Sequence, residues 1–580
     1  MREPSSPAPS TATLPGEAAP PTRCEPEGDV VANVEDLEVG STRMVRVDGR
    51  RLCLARTIEG VFAIDNACPH EGYGLTQGEL VGDVLTCEWH NWKFRVSDGV
   101  CLQGEEQVTA HTVDVGADGG VRVALNRPDP DAQRPRLFAS LRRAIERSYR
   151  GQVARDTIRL LQGGATPAAV MWEAIAHGAP RSDFGWGHPV AAATDCLAMV
   201  ELFDGDQRAL PLVQGIMGIA ETERDRHVNE LPAPCPGADA SASAFRRAVE
   251  AEHTAAAQSI VLAAIARGDD AASLRRWFTA AVCDHHLSYG HGAIYGQKAF
   301  ELLDMIGWDH ADVVLGHLVP TLVSGTREDR LPYMRPFMRA MGEQGLDALA
   351  EVAVDPEWVD AEDGDGGSGA VDGPLGRALL GPDRVAALRA ASGALRAGAG
   401  VEGLLDVVVE ATSLRMLRYE TDGEFEFGDD FGWLDITHGL TYAHAVRWHH
   451  RHVVEAGQET TPDLVRLALF CVFQANWTGR HEWHTRVGPV ADVERPAADL
   501  VAYGRNLQRR SLLDGAGSFI VAAHEVKTSR AAAAEALRIG SPLPLDAANR
   551  FMSAPRQERF VAATVERSIE FLNGRTQRDG

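Results

Sequence analysis

Between residues 44 and 67 apolar and polar positions alternate, as in "MVRVDGRRLCLART" (44–57) and "GVFAIDNA" (60–67). A period of two residues predicts strands with one face turned to a core. The turn pairs Asp48-Gly49 and Asp98-Gly99 suit tight hairpins, so residues 28–125 are expected to form a small antiparallel β domain. From residue 136 to 580 the spacing changes to about 3.6, as in "LFASLRRAIERSYRGQVARDTIRLLQ" and "RAAAAEALRIG", and Ala, Leu, Arg and Glu dominate. This part is expected to be mostly α-helical. The polar stretch "NRPDPDAQRP" (126–135), with three prolines, is read as a linker between the two. Residues 1–27, rich in Pro, Ser and Ala, bury almost nothing and are expected to form a disordered tail. An acidic, Gly-rich run, "DAEDGDGGSGAVDG" (360–373), is read as an exposed loop. The fold class is therefore multi-domain: a small all-β domain followed by a large helical one.

Composition narrows the partners. The formal net charge of -25 repels nucleic acid and anionic membranes, so neither is expected as a partner. Nine cysteines in 580 residues are too sparse for a disulfide scaffold, and neither a charged-then-apolar leader nor a long apolar run is apparent. The expected location is the cytoplasm.

The chemistry of the β part is concentrated in "CPHEGYGLTQGELVGDVLTCEWH" (68–90), which reads Cys68-x-His70, sixteen residues, then Cys87-x-x-His90. Zinc fingers pair Cys with Cys and His with His, whereas each pair here contributes one of each. A two-iron cluster takes such a set when one iron binds both thiolates and the other both imidazoles. "CPHEGYGL" and "CEWHNWKFRVSDGVCL" resemble the cluster loops of Rieske ferredoxins and Rieske oxygenases, over roughly residues 28–125. The resemblance implies a [2Fe-2S] cluster held by Cys68, His70, Cys87 and His90. Respiratory Rieske proteins carry an extra disulfide between their loops. The corresponding places here are Gly72, Tyr73, Glu88 and Trp89, so no such bridge is expected and a potential toward the low end of the Rieske range is. Cys101 lies outside the ligand pattern and reads as a small buried residue.

In the helical part three histidines recur in similar settings: "GWGHPVAAATDCLAMVELFDG" around His188, "SYGHGAIYGQKAFELLDMIG" around His291 and "LDITHGLTYAHAVRWHHRH" around His438. Each is followed by a further apolar helix, which predicts helical-hairpin repeats with a histidine in the first turn of each. Pro189, next to His188, fits a helix start. Such imidazoles serve either as a converging metal site or as helix caps satisfied by backbone, and the repeat leaves both roles open.

"ITHGLTYAHAVRW" and "HEVKTSRAAAAEA" (524–536), together with the His188 motif, resemble segments of the questin oxidase-like family, which opens aromatic polyketide rings. The resemblance is spread over residues 170–540. It implies a mononuclear non-haem iron held by four histidines and a carboxylated lysine; carried onto this sequence the ligands are His188, His291, His438, His444 and Lys527. His438, His444 and Lys527 are the residues it points to as catalytic. Lys527 must be neutral to take up carbon dioxide, which requires burial. His438 and His444 are six apart, about 120° off on one helix. They meet one metal only if Thr437 caps the helix and His438 precedes it. His286 is a competing ligand, and His524 is read as a residue behind the ligands or simply packed.

The sequence departs from that family by its added Rieske segment. The expectation is an O2-dependent oxidoreductase in which the cluster feeds the iron, for oxidation, Baeyer–Villiger-like ring opening or carbon–carbon cleavage of a small aromatic, polyketide-type natural product. The two G-x-G-x-x-G matches, at 364–369 and 398–403, do not follow a predicted strand and so carry no nucleotide-binding fingerprint; electrons from NAD(P)H are expected through a separate reductase, directly or through a ferredoxin. An electron hop tolerates only a short gap, which either domain packing or a neighbouring subunit of a homo-oligomer must supply. Two alternatives stand beside this. A conventional Rieske ring-hydroxylating oxygenase would use His286-x4-His291, but its catalytic domain is built on a sheet. A non-enzymatic Rieske electron carrier would use the helical part for docking.

Overall fold

The computed structural model describes residues 29–573 apart from 105, 127–128, 237–239, 354–369, 422–423, 425–430, 456, 458, 484–487, 516 and 557–560. The tail expected at 1–27, and residues 360–369 of the expected acidic loop, lie outside the described residues; Ala370–Asp372 form a short 3-10 turn. The chain divides into two compact units, Met1–Asp129 and Pro130–Gly580.

The first unit is antiparallel β throughout. Its strands are β1 (Ala32–Asn33), β2 (Thr42–Val47), β3 (Arg50–Arg56), β4 (Val61–Asp65), β5 (Glu79–Val81), β6 (Val84–Thr86), β7 (Lys93–Arg95), β8 (Cys101–Gln103), β9 (Ala110–Val115) and β10 (Gly120–Ala124). They pair as a six-stranded sheet, β1-β10-β9-β4-β3-β2, and a four-stranded one, β5-β6-β7-β8. The β2–β3 hairpin closes on Asp48 (φ 47°) and Gly49 (φ 78°), two left-handed residues in a row, whose twist matches that of the flanking strands. Strand β3 is buried on both faces. Leu52 and Leu54 pack with Ala63 and Val121, while Cys53 and Ala55 face a second core containing Ile64, Leu75, Leu85 and Phe94. Cys68 and Cys87 belong to that second core, so the loops that carry them are anchored in packed side chains.

The second unit is α-helical with one extended core. Its first helix, Pro130–Glu146, begins inside the stretch expected as a linker, because a proline is accommodated at a first helical position. The three histidine segments each form an antiparallel helical hairpin: His188–Ala198 against Ala209–Thr222, His291–Ile306 against Ala311–Ser324, and Trp433–Glu455 against Pro462–Trp477. His188 and His291 are the first residues of their helices. His438 is not: its helix starts at Trp433, so Thr437 lies inside the helix and not at its cap. The first helices of the three hairpins, together with Phe519–Ile539, pack around a common interior; His188–Ala198 touches both His291–Ile306 and Phe519–Ile539, and Trp433–Glu455 does the same. No helix among the described residues is long and apolar enough to cross a membrane.

Candidate metal centres

In the β unit, the chain leaves β4 into a loop that the Cys68 N–H closes on the Tyr73 carbonyl (2.8 Å) and the Gly72 N–H on the Cys68 carbonyl (2.7 Å). Gly72 is left-handed (φ 80°). A second loop, between β6 and β7, is closed by the Cys87 N–H on the Trp92 carbonyl (2.7 Å). The two loops bring Cys68 and Cys87 together in the core, while the Nδ1 atoms of His70 and His90 face each other 2.9 Å apart nearer the surface, their rings nearly perpendicular at 80°. Burial, reinforced by the neighbouring Cys87 thiol, pushes the Cys68 thiol up to about 12. A bare Cys68 thiol therefore stays protonated at neutral pH, and a bound cation is what turns it into a thiolate. Two thiols within and two imidazole nitrogens without are the donors a [2Fe-2S] cluster with unlike irons needs. The Trp92 ring stacks on His70 at 5.2 Å, with Phe94 buried behind it; Trp89 stacks on Tyr73 at 4.7 Å but is 58% exposed. Cys101 is half-buried, and neither it nor Cys68 nor Cys87 forms a disulfide.

In the helical unit, four imidazoles from four helices converge. The ring centroids of His188 lie 4.9 Å from His291 and 4.7 Å from His524, and His438 lies 4.6 Å from His291 and 5.0 Å from His524. The Nε2 atoms of His291 and His438 are 2.9 Å apart. Donor nitrogens of His188, His438 and His524 all fall within 4.8 Å of one another. Backbone geometry aims these rings. Ser288 (φ 45°), Tyr289 (φ 56°) and Gly290 (φ 90°) form a left-handed run that delivers His291 to its helix start, and the Tyr289 N–H is held by the Glu328 carboxylate at 2.6 Å. Three consecutive residues in that region, two of them not glycine, are the kind of local strain that persists where function over-determines the backbone.

The tautomers follow from the partners. A carbonyl only accepts, so the Nδ1 atoms of His438 and His524, which rest on the Leu434 and Ile520 carbonyls one turn back, carry their protons. Their Nε2 lone pairs then point inward. The Nε2 atoms of His188 and His524 and the Lys527 Nζ are buried without a hydrogen-bond partner. Orphaned donor atoms aimed at one point fit a cation. Burial, with Lys527 and the other imidazoles adding to it, keeps His188 and His524 well below the usual histidine range, and burial then His438 and Lys527 do so for His291; burial with Lys527 lowers His438 to about 3. The four rings are therefore neutral at pH 7, the state that binds metal. Lys527 is 2% exposed, and burial brings its ammonium down to about 7, Lys298 acting in the same direction and Asp195 against it. Along the same helices, the next layer is ionic: Asp195 pairs with Lys298 (2.9 Å) and Arg530 (3.2 Å), and Lys298 with Glu301 (3.0 Å).

Comparison with known proteins bears on the first of these centres. The family model described as the Rieske [2Fe-2S] domain matches residues 29–114. The first unit is a Rieske domain. The chain is 40% identical over 69 residues to a cholesterol 7-desaturase of Xenopus laevis, covering 12% of this chain and 15% of that protein. It is 30% identical over 71 residues to the ferredoxin component of the naphthalene 1,2-dioxygenase/salicylate 5-hydroxylase systems of a Ralstonia species, covering 12% of this chain and 68% of that ferredoxin. Among solved structures, the ferredoxin of carbazole 1,9a-dioxygenase from Nocardioides aromaticivorans IC177 is 26% identical, with 17% of this chain and 97% of that chain covered and a TM-score of 0.16. The chain thus spans only 15% of the desaturase, through a stretch the size of the Rieske domain.

Of the residues expected from sequence, the four Rieske ligands lie together, and so do His188, His291, His438 and Lys527. His444 stands apart. Six residues past His438 on one unbroken helix, it faces another way, and its Nδ1 pairs with the Glu535 carboxylate at 2.8 Å, which also holds Arg447. His286 is also outside the group; it packs against Tyr442, Phe470 and Phe473, with its Nε2 3.0 Å from Gln474 Oε1. The imidazole that completes the four is His524, which the sequence reading left behind the ligands. The signal was the spacing His524-x-x-Lys527, which puts both side chains on one face of the Phe519–Ile539 helix.

Proposed function

We propose that the chain is an oxygenase in which the Rieske domain delivers electrons to a mononuclear iron held by His188, His291, His438, His524 and, as its carbamate, Lys527. The single observation that carries this reading is the convergence of four buried imidazoles whose nitrogens face one another, beside the buried Lys527, whose charge acts on all four rings. Imidazole and carboxylate donors suit ferrous iron, and the iron, when bound, supplies oxygen activation with electrons taken one at a time. The chain's own part is to exclude water, to fix three of the rings by backbone carbonyls and to hold a substantial share of Lys527 in its neutral form, so that its amine adds to carbon dioxide and releases one proton.

The resemblance to questin oxidase-like sequences favours a bulky aromatic, polyketide-type substrate and ring-opening chemistry. Electrons are supplied from NAD(P)H by a separate reductase, directly or through a ferredoxin. The helical second unit and the separation of His286 from the imidazole group weigh against a conventional ring-hydroxylating reading.

Counting iron and acid-labile sulfide in the purified protein tests the proposal. The expected result is three irons for every two sulfides, falling to two in His438→Ala with the Rieske electron paramagnetic resonance signal unchanged. Two irons in the unaltered protein, with no other transition metal bound, would favour the electron-carrier reading; a third metal untouched by His438→Ala would remove this site.

A further inference from the structure

His188 differs from the other three imidazoles in what holds it. His438 and His524 give their Nδ1 protons to the carbonyls of Leu434 and Ile520, and His291 is held by the Ser288 backbone. The Nδ1 of His188 instead meets a side chain, the hydroxyl of Tyr295, at 3.1 Å. Tyr295 sits one turn beyond His291 on the same helix. Its ring stacks on His291 (5.0 Å, 28°), meets His188 edge-on (5.9 Å, 79°) and lies 6.0 Å from the Lys527 Nζ. It is almost fully buried, and it touches three of the five groups that converge on the centre.

A hydroxyl is not a carbonyl. It accepts from an N–H or donates to a bare ring nitrogen with equal ease, so the backbone does not lock the tautomer of His188 as it locks the others. With the hydroxyl donating, the ring proton moves to Nε2 and points into the centre, where a cation cannot tolerate it. With the hydroxyl accepting, Nδ1 keeps the proton and the Nε2 lone pair is free to bind.

We infer that Tyr295 is a positioning residue for the metal: by accepting the Nδ1–H of His188 it selects the tautomer that ligates, and metal loading turns its hydroxyl from donor to acceptor. The inference rests on the metal reading proposed above and adds to it a residue that is not itself a ligand. Without the hydroxyl oxygen, the bound state buries the His188 N–H with no acceptor, whereas the metal-free state is able to carry the proton on Nε2, facing the nitrogens of His438 and His524 at the centre. The loss therefore falls on metal affinity more than on the fold.

The test uses the full-length protein with its cluster in place, stripped of the third metal and titrated with Fe2+ or Co2+ against a chelator. Tyr295→Phe keeps the ring and deletes only the oxygen. The expected result is a roughly ten- to hundredfold weaker affinity and a correspondingly faster metal release, with an altered Co2+ ligand-field spectrum, while the metal-free melting temperature stays at that of the unaltered protein. Should the phenylalanine variant fail to fold, 3-fluorotyrosine at position 295 preserves the shape and weakens the oxygen as an acceptor, and faster metal release is again expected. Equal affinity in a folded variant, or a lowered metal-free melting temperature with unchanged affinity once folded, overturns the role assigned to Tyr295 and leaves the metal site standing. An unaltered protein that takes up neither ion overturns the site itself, and this inference with it.

Discussion

The Nε2 atoms of His291 and His438 face each other at 2.9 Å across 147 residues of chain. Two nitrogens that both lack a need for one another in the fold are brought nose to nose by two separate helices, one entered through a left-handed turn and one begun a full turn early. The arrangement fits two of the five donors of the proposed cation site.

His524 lies where the resemblance to questin oxidase-like sequences led His444 to be expected, and His444 pairs with Glu535 instead. His524→Ala is expected to lose the third metal and keep the cluster. His444→Ala is expected to keep both and to lose stability of about 1–2 kcal/mol, because Glu535 forfeits one hydrogen-bond partner in a buried site while Arg447 remains. Metal analysis beside thermal melting of the two variants checks this; retention of the third metal in His524→Ala would contradict it.

The turn before His291 is expected to be intolerant of any side chain at Gly290. Its φ is 90°, and a Cβ there would come within 2.5 Å of the Tyr442 ring. Gly290→Ala should shift the His291 ring, deplete the third metal and destabilise the helical unit by about 1–3 kcal/mol. A variant with full metal content and an unchanged melting curve would show that the turn has slack.

An equivalent constraint sits in the Rieske domain. Gly104 has φ 137°, and an added Cβ would meet the Trp92 ring at 2.5 Å and the Cys101 sulfur at 2.8 Å. Since Trp92 stacks on His70, Gly104→Ala is expected to cost about 1–3 kcal/mol and to speed loss of the cluster's visible absorption on warming. Any metal held by the helical unit should be unaffected. Identical bleaching rates in variant and parent would refute the link.

His285 gives the stability a pH dependence of known sign. Burial by itself lowers its basicity, but hydrogen bonds to Asp329 (2.9 Å) and Glu250 (2.7 Å) outweigh it, and the net shift is upward. A histidine raised on folding stabilises fully below its unfolded value of about 6.5, and the contribution fades as pH climbs through the higher folded value. The melting-temperature gap between the parent and His285→Gln should therefore be widest near pH 6 and shrink toward pH 9. A gap that grows with pH runs against the assignment.

The meeting of Cys68, His70, Cys87 and His90 was legible in the sequence because each Cys–His pair lies within four residues on one tight loop. Over so short a distance, local backbone geometry alone fixes which side chains meet. Turn chemistry placed the β2–β3 hairpin in the same way, through Asp48-Gly49. The division into a β unit and a helical unit, and the three histidine hairpins, also followed from residue order, since periods of two and of 3.6 are local properties of the chain.

The composition of the second centre was a different matter. Whether His438 is joined by His444 or by His524 depends on where the Trp433–Glu455 helix begins and how it is rotated against Phe519–Ile539. Those quantities are set by the summed packing of many apolar side chains and by buried pairs such as His444 with Glu535, not by any spacing along the chain. Sequence determined that imidazoles and a lysine were available on helices with small-residue faces. Only the tertiary structure decided which nitrogens share a point, because a contact between helices is a property of their mutual orientation, and that is written in the whole core at once.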